Sequence, residues 1–165
     1  MTKWLALSGA ILVLDQLTKF IAASTLAVHQ AVEVTPFFNL LLVYNPGAAF
    51  SFLASASGWQ RPFFITIGLV AAVWIVWLLR RHPRETLFCL ALSLVLAGAV
   101  GNVIDRILFG AVIDFLDFHA FGWHWPAFNV ADSAITCGAA LLIWDGFRPR
   151  KSGTPEPPMN TDEHR

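Results

Sequence analysis

Four apolar stretches, each long enough to cross a lipid bilayer as a helix, constrain this chain more than any other feature. They run over residues of about 4–28, 62–79, 86–108 and 126–147. A bilayer core takes about 20 apolar residues per helix, and a helix satisfies its own backbone hydrogen bonds in lipid. We therefore predict an α-helical membrane protein with four transmembrane helices, built as a single domain over residues 1–150.

The composition agrees with a membrane domain. Of the 165 residues, 56% are hydrophobic and 13% are charged, with a mean hydropathy of +0.62. The 11 basic and 11 acidic residues cancel, so we expect no nucleic-acid partner. Cys89 and Cys137 lie inside apolar runs without metal-ligand or disulfide spacing, where a thiol packs as a small hydrophobe.

The basic residues predict an orientation, because cytoplasmic loops carry an excess of Lys and Arg. Lys3 precedes the first span, and Arg61 is the basic residue of the opposite loops. The other basic residues near the span ends on the Lys3 side are Arg80, Arg81, Arg84, Arg148, Arg150 and Lys151. Both termini are thus predicted to be cytoplasmic. A retained first span is favoured over a cleaved secretory leader, since Asp15 and Lys19 interrupt its apolar run.

Residues 29–57 form the longer outer segment, and an alternating run within it is typical of β structure. We predict a small β-rich segment on the outer membrane surface, ended by a turn at Asn45-Pro46-Gly47. As a hypothesis, this segment and turn form a cradle and a lid over a site. The tail, residues 151–165, is rich in Pro and polar residues and is predicted to be disordered in the cytoplasm.

Ionisable residues inside spans cost about 2.5–3.5 kcal/mol each on insertion scales and mark sites or ion pairs. Asp15 and Lys19 are four residues apart on one helix face. They could form an ion pair that neutralises both charges, or they could support other helices near the site. Asn102, Asp105 and Arg106 share a face of the third span. Arg106 could be a mere interfacial anchor, but anchoring does not explain the two polar residues beside it.

Two aspartates near the outer surface are the candidate catalytic groups. Asp114 lies in an alternating apolar and acidic stretch, and Asp132 lies in the first turns of the fourth span with Asn129 on the same face. Separately, Asp114 could simply face water and Asp132 could simply cap its helix. Together, two close carboxylates cannot both ionise cheaply. One could then activate a water as general base while the other protonates the scissile carbonyl.

Other chemistries have weaker support. Ser51 and Ser133 lack a histidine at a suggestive position, and the chain has no HExxH or phosphate-binding loop. His119 and His124 could bind a metal, but residues of an interfacial aromatic belt are far commoner in such a loop. No metal and no cofactor are expected, because the carboxylates themselves activate the water.

Five polar sequence blocks stand in order along the chain: Asp15-Gln16-Leu17-Thr18-Lys19, Asn45-Pro46-Gly47-Ala48-Ala49-Phe50, Gly101-Asn102-Val103-Ile104-Asp105-Arg106, Val112-Ile113-Asp114-Phe115 and Asn129-Val130-Ala131-Asp132-Ser133. Together they resemble the lipoprotein signal peptidase (signal peptidase II) family of intramembrane aspartyl peptidases. One such block would be weak evidence for a family. Five blocks in the family's order are strong evidence, and they cover nearly the whole chain except its polar tail.

The resemblance implies a bacterial plasma (inner) membrane endopeptidase with its active site on the extracytoplasmic side, inhibited by globomycin. It implies cleavage of prolipoproteins just before a cysteine that carries diacylglyceryl. Asp114 and Asp132 match the catalytic aspartates of the family. The remaining candidates, for substrate binding or support, are Asp15, Lys19, Asn45, Gly47, Asn102, Asp105, Arg106, Asn129 and Ser133.

Two other functions remain as alternatives. A small proton-coupled transporter or channel would also use intramembrane carboxylates, but the polar groups gather at one end, and residues 62–79 contain no ionisable side chain. A non-enzymatic scaffold leaves Asn129 and Asp132 unexplained. For the peptidase, we expect prolipoproteins and membrane lipids as partners and a monomeric state.

Overall fold

The computed structural model describes residues 1–47 and 59–148. Its helices are α1 (Thr2–Thr25), α2 (Gln60–Arg81), α3 (Thr86–Phe109) and α4 (Val130–Phe147), and its strands are β1 (Ala31–Thr35), β2 (Phe38–Asn45), β3 (Val112–Ala120) and β4 (Trp123–His124). Three predictions concern residues outside these ranges: the Ala48-Ala49-Phe50 end of the second block, the rest of the proposed lid, and the disordered tail.

All four helices are long and apolar enough to cross a membrane, which confirms the predicted helical membrane fold. Helix α3 is central. In an apolar stretch of 18 residues, 56% of α3 is buried, against 11–22% of the corresponding stretches of the other three helices. The outer faces of the other helices carry large exposed apolar side chains such as Val73 and Trp74. Such faces suit contact with lipid rather than water.

A hydrophobic cluster fills the end of the bundle near the chain's N-terminus. Its buried members are Trp4, Ile75, Leu79, Cys89, Leu92 and Leu96. Cys89 is fully buried there. This cluster therefore lies at one end of the bundle, while the sheet and the charged residues Asp15, Lys19 and Asp105 lie at the other.

The strands form one antiparallel sheet in the order β1-β2-β3-β4. The described part of the predicted β-rich segment, residues 29–47 of 29–57, contains the first two strands, and the sheet continues into residues 112–124. The fourth helix begins at Val130 rather than near residue 126, because the backbone of Phe128 still pairs with Leu116 of β3. That pairing draws the start of α4 against the sheet.

Helices α3 and α4 approach each other at glycines. A side chain on Gly98 would collide with the carbonyl oxygen of Ala131, and one on Gly138 would come within 2.7 Å of the Ala91 carbonyl oxygen. Small residues permit such close backbone contact between membrane helices. This contact brings the first turn of α4 beside the polar face of α3.

Candidate active site

Asp114 lies on β3 in a run of buried residues and is itself only 2% exposed. Its two carboxylate oxygens each accept a side-chain amide: Asn45 Nδ2 donates to Oδ2 at 3.0 Å, and Asn129 Nδ2 donates to Oδ1 at 2.8 Å. Asn45 comes from β2, whose register pairs Val43 with Asp114. The sheet therefore holds this carboxylate from one side and the start of α4 holds it from the other.

Asp132 occupies the third position of α4 and forms a capping box with Asn129. The backbone N–H of Asn129 donates to Asp132 Oδ2 at 3.3 Å, and the backbone N–H of Asp132 donates to Asn129 Oδ1 at 2.8 Å. Asn102 of α3 donates from Nδ2 to Asp132 Oδ1 at 2.8 Å. A carboxylate at this position also gains from the partial positive charge of the helix N-terminus.

Asn129 connects the two aspartates. It is fully buried, it caps α4, and its amide donates to Asp114. The same amide lies within hydrogen-bonding distance of the Ile113 carbonyl oxygen, at 3.2 Å. One side chain thus fixes both Asp114 and Asp132 relative to the end of α4.

Behind the aspartates lies a buried charged network of Asp15, Lys19 and Asp105. The predicted ion pair is present, with Lys19 Nζ 2.9 Å from Asp15 Oδ2, and the same ammonium lies 2.8 Å from Asp105 Oδ2. All three side chains are at most 2% exposed. Gln16 completes the network, donating to Asp105 Oδ1 at 3.0 Å and to Asp15 Oδ2 at 3.2 Å.

Asp114 and Asp132 open onto one cleft of about 670 Å³. Its lining residues are Asn45, Gly47, Phe64, Arg106, Asp114, Trp125, Pro126, Ala127, Phe128, Asp132, Ser133, Thr136 and Cys137. The Arg106 guanidinium lies 4.9 Å from the centre of the Phe64 ring, within the range of a cation–π interaction. The cleft therefore joins a polar end at the aspartates to an apolar wall formed by Phe64 of α2 and by residues 125–128, which precede α4.

The electrostatics of the cleft favour a protonated Asp114. Burial raises the pKa of Asp114 to about 7, and the charge of Asp132 acts in the same direction. Hydrogen bonds from Asn45 and Asn129 and the charge of Lys19 oppose this shift without cancelling it. A carboxyl group with such a pKa can donate a proton near neutral pH.

The family model described as signal peptidase (SPase) II matches residues 7–148. The chain belongs to the signal peptidase II family. It is 58% identical over 145 residues to the lipoprotein signal peptidase of Paraburkholderia phymatum, covering 88% of this chain and 87% of the relative. It is 59% identical over 145 residues to that of Ralstonia nicotianae, covering 88% and 84%.

A solved bacterial membrane enzyme has the same fold as this signal peptidase II family member. The two superpose with a TM-score of 0.79 at 32% identity, covering 94% of this chain and 96% of that one. The family membership confirms the resemblance and the protease prediction. Nothing in the comparisons supports a transporter or channel.

The structure places every candidate residue at or behind the cleft. Asn45, Gly47, Arg106, Asp114, Asp132 and Ser133 line it. Asn102 and Asn129 contact the aspartates directly, and Asp15, Lys19 and Asp105 form the network behind. The roles of all these residues stay predictions.

The sequence prediction omitted Gln16 and Phe64. Gln16 carried a usable signal, because it is a polar residue between Asp15 and Lys19 in an apolar run. Phe64 carried no such signal, since the sequence does not distinguish an aromatic residue that lines a site from one that faces lipid. Within residues 1–47 and 59–148, no group of three or more metal-binding side chains occurs; His119 and His124 stack on each other with ring centres 4.9 Å apart.

Proposed function

We propose that this chain removes the signal peptide from diacylglyceryl-modified prolipoproteins, with Asp114 and Asp132 as its catalytic pair. The observation that carries the proposal is the linkage of both aspartates through Asn129 at the polar end of one cleft. Family membership supports the peptidase activity. The proposal goes further than this activity by placing the cut just before the lipidated cysteine of the substrate.

In the proposed mechanism the two aspartates have different resting states. Asp114 holds the proton in the reactive form, which is well populated near neutral pH because burial raises its pKa to about 7. Asp132 is the ionised base, since it caps α4 and accepts hydrogen bonds from Asn102 and the Asn129 backbone. Asp132 takes a proton from water as the water attacks, while Asp114 protonates the carbonyl oxygen. The proton on Asp132 then passes to the amine as the C–N bond breaks, and Asp114 takes back the proton of the hydroxyl group that becomes the new carbonyl.

The shape of the cleft supports a lipidated substrate. Thr136 and Cys137 extend its lining about one helical turn beyond Asp132 along α4, toward the middle of the span. An apolar chain could lie there while the scissile bond stays at the aspartates. Arg106 and Asn45 would then face polar groups of the substrate backbone.

We infer the orientation of the chain in the membrane from its basic residues rather than from its fold. The positive-inside rule supports cytoplasmic termini, and the sheet with the aspartates then lies on the extracytoplasmic side of the bacterial plasma (inner) membrane. Membrane lipids surround the exposed apolar helix faces. A single chain supplies both aspartates, which supports action as a monomer.

The test is turnover of a diacylglyceryl-modified prolipoprotein by purified wild type, Asp114→Asn and Asp132→Asn. Each variant keeps the shape and removes the titrating group, so both should lose turnover. Asp117→Asn is the matched control, because Asp117 is buried on the same strand but bonds to Asn39 and His124 away from the cleft. It should keep kcat. Full activity in either cleft variant would refute the catalytic pair.

A further inference from the structure

Each aspartate of the proposed pair directly follows a backbone amide that is held by a buried carboxylate. The N–H of Ala131, just before Asp132, donates to Asp15 Oδ1 at 2.8 Å. The N–H of Ile113, just before Asp114, donates to Asp105 Oδ2 at 3.2 Å. The first turn of α4 and the start of β3 are therefore both tied to charged groups in the bundle.

Lys19 joins these two carboxylates. Its ammonium lies 2.9 Å from Asp15 Oδ2 and 2.8 Å from Asp105 Oδ2, and its third hydrogen bond goes to Asn102 Oδ1 at 3.0 Å. An ammonium has three donors and no acceptor, so these three contacts satisfy it completely. With the side chain 2% exposed, Lys19 has no access to solvent as an alternative partner.

The bond to Asn102 also fixes an orientation. Because Lys19 can only donate, Asn102 must turn its carbonyl oxygen toward Lys19 and its NH₂ group away. That NH₂ group donates to Asp132 Oδ1 at 2.8 Å. Without the ammonium, the longer contact of 3.4 Å from Asn129 Nδ2 would remain on that oxygen. The amide could then rotate and present its oxygen to the Asp132 carboxylate, which would repel it.

We propose that Lys19 is a positioning residue for the reaction: through Asp15 and Asp105 it sets the spacing of the two catalytic backbones, and through Asn102 it orients the donor to Asp132. The inference rests on the proposed catalytic pair. Lys19 does not line the cleft and its side chain is 2% exposed, so it acts through its three partners. Its removal should therefore lower kcat and leave substrate binding nearly unchanged.

The direct variant, Lys19→Met, leaves two buried carboxylates without a cation, which strongly destabilises the fold. The second variant, Lys19→Met with Asp105→Asn, removes one of those charges together with the ammonium. Comparison with Asp105→Asn alone isolates Lys19, because that single variant keeps the ammonium beside Asp15. The control is Ser8→Ala, since Ser8 joins α1 to α3 through the Ser93 carbonyl at 2.9 Å, far from the aspartates.

The measurement is kcat and KM for a lipidated prolipoprotein peptide, per folded enzyme, with folding checked by thermal melting in detergent. Misplacement of reacting groups by about 1 Å can cost about 100-fold. We expect the double variant to lose at least about tenfold in kcat relative to Asp105→Asn, with KM little changed. Ser8→Ala should melt earlier with wild-type kcat.

Two results separate this inference from the proposed function. If Asp114→Asn and Asp132→Asn abolish turnover but the double variant keeps the kcat of Asp105→Asn, Lys19 serves stability alone and the inference is wrong. If the two aspartate variants stay active, the catalytic pair itself is wrong, and the inference fails with it.

Discussion

The side-chain amide of Asn129 donates to the Asp114 carboxylate over 2.8 Å while its carbonyl oxygen accepts the backbone N–H of Asp132 over 2.8 Å. A residue that only capped α4 would need the second bond and not the first. The two functions can be separated because serine caps a helix about as well as asparagine but is too short to donate to Asp114.

Asn129→Ser should be nearly as stable as wild type and yet lose turnover. Asn129→Ala should lose turnover and be less stable as well. The alanine variant lacks the cap, which costs about 0.5–2 kcal/mol in the free energy of unfolding. Thermal melting and kcat measured on the same preparations would separate the two effects. Wild-type kcat in Asn129→Ser would mean that the contact with Asp114 is dispensable.

The rate should fall as the pH rises through about 7. Asp114 must be protonated to act as the acid, and burial raises its pKa to about 7, so the alkaline limb of the kcat profile reports the loss of this proton. Because the two aspartates interact, the observed value belongs to the pair. A rate that keeps rising above this pH would contradict Asp114 as the acid.

Asn45→Ala should move that alkaline limb to higher pH. The Asn45 amide donates to Asp114 and lowers its pKa by stabilising the charged form, so its loss raises the pKa of Asp114. Asn39→Ala is the matched control: Asn39 lies on the same strand and donates to Asp117 over 2.8 Å. The limb should not move in the control. A shift to lower pH in Asn45→Ala would refute this account.

The sequence allowed the site to be predicted because charged residues are conspicuous in apolar helices. Asp15, Lys19 and Asp105 interrupt such runs, and all three proved to be buried in one network. The spacing of Asn129 and Asp132 likewise suited a helix start. In these places the cost of burying a polar group made its position informative.

The sheet was harder to predict, for a physical reason. Strand β3 pairs with β2, about 70 residues earlier in the chain, and a pairing over that distance leaves no local pattern. Pro126 and Phe128 are apolar and extend the run that predicts a helix, but their segment pairs with β3 instead. The sequence therefore indicated the two aspartates as candidates without showing that the sheet holds Asp114 against Asn129.

Gly101→Ala should damage the network behind the site. A Cβ at Gly101 would lie 2.5 Å from Asp15 Oδ2 and 3.5 Å from the Ala131 Cβ, so Asp15 would have to leave its place. We expect a loss of about 1–3 kcal/mol in the free energy of unfolding, with reduced turnover. Gly9→Ala is the control, because nothing lies within 4 Å of its added Cβ. Equal melting temperatures for the two variants would contradict this packing.

The last prediction concerns Arg106, whose guanidinium lines the cleft over the Phe64 ring. One of its nitrogens donates to the Asn102 carbonyl oxygen at 3.2 Å, but its buried Nε has no hydrogen-bond partner among the described residues. A buried donor without a partner is unfavourable. Arg106 is therefore suited to donate to a carbonyl oxygen of the bound substrate.

Arg106→Lys keeps the charge but loses the planar group and its Nε donor. We expect KM for the lipidated peptide to rise about tenfold, since a hydrogen bond from a charged group contributes about 1.5–3 kcal/mol, while kcat changes less. Arg61→Lys is the control: Arg61 donates to the Ile107 carbonyl at 2.9 Å and is exposed outside the cleft. An unchanged KM in Arg106→Lys, or an equal rise in both variants, would show that Arg106 does not bind the substrate.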